Sequence, residues 1–180
     1  MRHPLRFIQS LSIVAAVCGL TACEIDLESG SYSGVATGTS RTQSGHSTSF
    51  SRNMTASISL AQDAGGVAPD LLMVTLCNDA IDAPTWTPCF EPIEVKVRQN
   101  HFGGEEWTWV DVMLKDSYGY EHYCYVEENV VISGDILSAD SVDLQVTYYG
   151  NVDSYYDESC VELYTGVTAA DFTASLSLNE

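Results

Sequence analysis

The chain has 180 residues, with 25 acidic side chains against seven basic ones and a formal net charge of −18. A surface this acidic repels DNA, RNA and anionic lipid head groups, which excludes nucleic acid as a partner. Cations, polycations and neutral surfaces remain open to it.

The first residues carry Arg2, His3 and Arg6, and residues 7–20 form a largely apolar stretch that ends in small side chains. This is the layout of a secretory signal peptide, and it falls short of the roughly 20 apolar residues that a spanning helix needs. It ends in Leu20, Thr21, Ala22 and Cys23, and the chain turns polar and acidic at Glu24. Those four residues resemble the lipobox of the bacterial lipoproteins, which has the form Leu, small, small, Cys. The resemblance implies cleavage after Ala22, lipid on the sulfur of Cys23 and a further acyl chain on its amine. It also implies outer-membrane placement, since the inner-membrane retention rule of that family calls for Asp where this chain has Glu24. Several acyl chains together give stable attachment where one is marginal. The expected organisation is a signal peptide over 1–22, a lipidated tether over 23–30 and one domain over 31–180. Loss of Arg2 and Arg6 with the signal leaves five basic residues against 25 acidic ones.

Beyond the tether, apolar and polar residues alternate with the period of a strand having one buried face. Met54, Ala56, Ile58 and Leu60 alternate with Thr55, Ser57 and Ser59; Ile93, Val95 and Val97 with Glu94, Lys96 and Arg98; Val142, Leu144, Val146 and Tyr148 with Asp143, Gln145 and Thr147. Strands are expected in chain order over 32–42, 54–60, 71–77, 93–98, 107–114, 123–133, 142–148, 160–166 and 172–178. Turn-like breaks fall at 63–66, 100–104, 117–119, 138–141 and 150–154. Short strands, hairpin-length links and no room for crossover helices predict an all-β domain. The expected form is one antiparallel barrel of about 8–10 strands, with a β-sandwich as the alternative. Outward positions rich in Ser, Thr, Glu, Lys and Asp rule against a membrane-spanning barrel. The outline loosely resembles the lipocalins, although GSYSG at 30–34 lacks their Gly-x-Trp, and no lipocalin ligand residue carries over.

Once Cys18 leaves with the signal and Cys23 takes lipid, Cys77, Cys89, Cys124 and Cys160 remain, an even number suited to an oxidising compartment. Sequential pairing, Cys77 with Cys89 and Cys124 with Cys160, is expected. Neither a C-x-x-C pair nor a His doublet gives zinc-ligand spacing, so no metal is assigned. The first pair would close a loop stiffened by Pro84 and Pro88 and tipped by Trp86, the candidate binding loop. Asp140 and Asp143, and Asp153, Asp157 and Glu158, form acidic turns whose oxygens invite a calcium test, without any known loop spacing. Trp107 and Trp109 alternate with Val110, Val112 and Leu114, so one face is core and the other a second buried layer or an exposed patch.

No nucleophile elbow, zincin, P-loop or EF-hand motif is present, and no catalytic residue or cofactor is assigned. The sequence therefore predicts a non-catalytic, lipid-anchored envelope module that holds a protein or glycan partner. The alternatives are a carrier of a small apolar ligand and an inhibitor of a cationic enzyme that attacks the envelope. A filled barrel favours the module, and an apolar interior cavity of at least about 300 Å³ favours the carrier.

Overall fold

The computed structural model describes residues 27–63, 66–78, 90–153 and 157–179. Eight strands run β1 (Gly30–Thr42), β2 (Ser47–Asp63), β3 (Gly66–Asn78), β4 (Ile93–Arg98), β5 (His101–Lys115), β6 (Glu121–Ser138), β7 (Ser141–Asp153) and β8 (Val167–Leu178), with a short helix α1 (Ser159–Leu163) between the last two. Each strand pairs antiparallel with the next, and β1 pairs with β8, so the meander closes into a barrel.

The pleat explains the sorting of side chains. Met54, Ala56 and Ile58 of β2, Ile93 and Val95 of β4 and Val142, Leu144 and Val146 of β7 point inward and are buried, while their polar alternates lie on the outside. An apolar inside and polar outside is the reverse of a membrane-spanning barrel, whose outer band is apolar. Among the described residues no helix is long and apolar enough to cross a membrane. The inward side chains form one continuous cluster from Leu27 at one end to Tyr148 at the other, as expected of an eight-strand barrel just wide enough to be filled by side chains.

The closing seam depends on two glycines. A Cβ on Gly34 would lie 2.0 Å from the carbonyl oxygen of Ser175, and one on Gly38 would lie 2.1 Å from that of Asp171. Gly38 faces Phe172 across the seam, and the absent side chain leaves room for that ring, which meets Phe50 edge-on at 5.8 Å.

One expected strand is absent. Residues 160–166 form α1 and its exit, because a meander can close antiparallel only with an even number of strands, and a ninth would bring first and last together in parallel. Locally, Asp157 Oδ1 accepts the Ser159 N–H at 2.9 Å, and Cys160 and Tyr164 are buried one helical turn apart. The expected break at 100–104 is also shorter in fact: the turn is Gln99 and Asn100, with Gln99 at φ 59°, and β5 already starts at His101.

Both chain ends of the described domain lie at one end of the barrel. There Leu27 is buried, Glu28 N–H donates to Ala139 O at 2.7 Å, and the Tyr32 hydroxyl donates to Glu28 O at 2.5 Å. The β1–β2 and β5–β6 turns and α1 occupy the opposite, distal end.

Candidate functional site

The β5–β6 hairpin is the longest in the barrel: fifteen residue pairs run from His101↔Asp135 to Lys115↔Glu121, whereas β4 pairs with β5 only over Lys96↔Gly103 to Arg98↔His101. Past Gly103, the hairpin's inner face therefore needs cover other than β4. It finds it in a second, smaller core made of Val112, Cys124, Val126, Val152, Cys160 and Tyr164. The Cys124–Cys160 disulfide ties α1 onto this face across 36 residues of sequence. Cys77 is also disulfide-bonded.

Because Val110, Val112 and Leu114 supply that inner face, the pleat forces Trp107 and Trp109 outward, where they are 59% and 58% exposed. The sequence offered two apolar faces, and the structure makes the valine face core and the tryptophan face an exposed patch. Large apolar side chains left out in this way, side by side, mark a surface that has work to do. Cross-strand rows complete the patch: Trp107, Asn129 and Tyr149 form one row, Trp109, Glu127 and Asn151 the next, then Asp111, Tyr125 and Asp153. Tyr149 is 54% exposed, and Met113 and Tyr123 extend the apolar surface toward the distal turn. Asn129 is the exception on this outer face. It is only 5% exposed, and its amide nitrogen has no hydrogen-bond partner among the described residues.

The charge on these rows is one-sided. Asp111 and Glu127 stand among the aromatic rings and Glu105 precedes Trp107 on the same face, and the first lysine or arginine along β5 is Lys115, already paired with Glu121 at 3.1 Å.

No family model, no curated protein and no solved structure matches this chain.

Two further polar clusters sit at the distal end. Behind the patch, the Tyr148 hydroxyl donates to Glu128 Oε1 at 2.9 Å, with all of Tyr148, Glu128 and Tyr164 buried. Burial and the neighbouring Glu128 carboxylate raise the Tyr148 phenol well above its usual range and push Tyr164 up to about 12. Both tyrosines thus stay protonated and act as hydrogen-bond donors, joining the barrel core to the smaller one. Nearer the turn, His122 Nδ1 lies 2.7 Å from Asp157 Oδ2 and its Nε2 3.7 Å from Asp116 Oδ2. The hydrogen bond to Asp157 raises the His122 imidazole, and the same bond lowers Asp157. Burial works against Asp116, but the backbone N–H groups of Tyr120 and Tyr118 outweigh it and hold that carboxyl low.

The remaining expectations fall as follows. Cys23, Pro84, Trp86, Pro88 and Cys89 lie outside the described residues. Asp140 accepts from Ser138, Asp143 accepts from Ser175 at 2.6 Å, and Asp157 is engaged by His122, so the two acidic turns are not assembled around a common centre. Among the described residues no group of three His, Cys, Asp or Glu side chains could hold a metal ion. Two concavities, of about 320 and 280 Å³, indent the outer wall. Some of their polar groups already have partners, as in His101 with Asp135 at 3.2 Å and Asp171 with Thr147 at 2.9 Å.

Sequence reasoning missed His122 and Asn129. His122 meets a partner 35 residues away. Asn129 carries a weak signal, a polar residue whose neighbours across both strands are aromatic.

Proposed function

We propose that the protein is a non-catalytic interaction module of the cell envelope, held to a membrane by lipid on Cys23 and presenting the outer face of β5, β6 and β7 to a partner. The observation that carries this reading is the exposure of Trp107 and Trp109 side by side on a strand whose other face is core. The continuous apolar cluster inside the barrel supports a module over a carrier of small apolar ligands, since the described concavities are polar and lie on the outer wall.

The lipid anchor and the face fit together. Leu27 is packed into the core four residues after Cys23, so the tether spans at most about 14 Å when fully extended. The barrel end bearing Leu27 then lies against the lipid, and the second half of β5 points away from it.

A photo-crosslinking amino acid placed at 109 in the full chain, in its native envelope, tests the reading. Val35 serves as the control; it is 51% exposed on β1, the strand diametrically opposite β5 in the closed order. Discrete adducts from position 109 and none from 35 are expected. No adduct at 109, or the same pattern from both, would overturn the module.

A further inference from the structure

Resting on the reading of this face as an interface, we infer that its partner is a cationic polypeptide segment, whose arginine or lysine side chains lie over the indoles of Trp107 and Trp109 while Glu105, Asp111 and Glu127 meet their charge.

Three observations converge on that chemistry. First, the faces of exposed indoles attract guanidinium and ammonium groups, tryptophan most strongly of the aromatic side chains. Trp107 and Trp109 are alternate residues of one strand, about 6.8 Å apart along it, which is also the spacing of alternate side chains in an extended partner segment. Two basic residues in alternate positions of such a segment can therefore sit on both rings at once.

Second, the carboxylates are interleaved with the rings. Glu127 is directly opposite Trp109, Asp111 follows Trp109 on the same face of β5, and Glu105 precedes Trp107. A cation over either indole has a carboxylate within reach, and no basic side chain on these three rows competes for it. Neutral ligands gain nothing from this charge, and anionic ones are repelled.

Third, the buried Asn129 amide nitrogen lies in the row between Trp107 and Tyr149 without an acceptor among the described residues. A donor left without a partner under cover carries a desolvation cost. When a bound segment draws the flanking, half-exposed Trp107 and Tyr149 rings aside, its backbone carbonyl can supply the missing acceptor, which points to a peptide rather than a simple polyamine.

The test uses the full-length domain with hexa-arginine as probe, its affinity read by titration calorimetry and its place on the surface by the indole N–H resonances of Trp107 and Trp109 in the parent. Hexaglutamate and a neutral chito-oligosaccharide are run alongside. Hexa-arginine is expected to move both resonances. Trp107→Ala with Trp109→Ala, or Glu105→Gln with Asp111→Asn and Glu127→Gln, should weaken binding on the order of tenfold, with unchanged far-UV spectra. A remote triple, Asp70→Asn with Asp140→Asn and Asp171→Asn, removes the same charge elsewhere on the exposed surface and should cost much less. Equal losses from the two triples, with no effect of the alanine pair, would mean diffuse attraction to an acidic protein and would overturn the proposal. So would resonances that move with the oligosaccharide and not with hexa-arginine. Adducts at 109 in the envelope combined with silence toward hexa-arginine would sink the cationic partner and leave the interface standing.

Discussion

His122 is held between two carboxylates, and its position makes it a measurable part of the distal end. Asp116 belongs to the β5–β6 turn and Asp157 precedes α1, so the imidazole joins two segments that the barrel ladder does not. Its folded pKa is raised, so its contribution is fully present below the unfolded value of about 6.5 and is lost as the pH rises through the higher folded value. Asp116 and Asp157 are lowered, so theirs is present above the unfolded carboxyl value of about 3.9 and is lost as the pH falls through the folded one. The difference in stability between the parent and His122→Gln should thus be greatest between about pH 4 and 6.5 and shrink toward pH 9. Denaturant titrations at a series of pH values read it directly; a difference that grows above pH 7 would contradict the pairing. None of this was visible in the sequence, where His122 looks like any polar strand position.

At the scale of elements, alternation in β2, β4 and β7 was enough to place strands and their inward faces, because those residues have one apolar and one polar face and only one sensible orientation. β5 resisted the same reasoning. Both its faces carry large apolar side chains from Trp107 to Leu114, so composition could not say which is core, and the answer came from α1, which covers the valine side. α1 itself overlaps the stretch 160–166, expected as a strand although its alternation is irregular, and a segment this short does not separate a strand from one helical turn. The Cys124–Cys160 disulfide pins that turn, and a 36-residue separation closes a loop worth about 4 kcal/mol on entropic grounds. Cys124→Ser with Cys160→Ser should lower stability by roughly 2–4 kcal/mol. The loss should centre on residues 157–164, whose amides exchange faster while β1 and β8 stay protected, as hydrogen exchange would show. Uniform loss of protection around the barrel would mean that the smaller core is not a separate layer.

For the whole molecule, the acidic surface and the proposed anchor divide the labour. Net charge keeps the domain away from anionic head groups, so under the proposed anchoring attachment would fall to the acyl chains rather than to the protein surface. Cys23→Ser removes the sulfur proposed to receive lipid and leaves the described barrel contacts, from Leu27 onward, in place. The variant should therefore leave the detergent phase for the aqueous phase on partitioning, with an unchanged melting midpoint. Partitioning that still follows the detergent would refute lipid attachment at Cys23. The candidate loop around Trp86 is a separate matter, since it lies outside the described residues.

The even strand number has one more consequence. Because the meander ends beside its start, with Asn179 N–H donating to Ser31 O at 2.8 Å, any chain before Leu27 or after Asn179 joins at the same rim. At the opposite rim the described β1–β2 and β5–β6 turns and α1 carry no chain end, so an exopeptidase working inward from either terminus meets the closed hydrogen-bond ladder of β1 and β8 before it can reach the tryptophans.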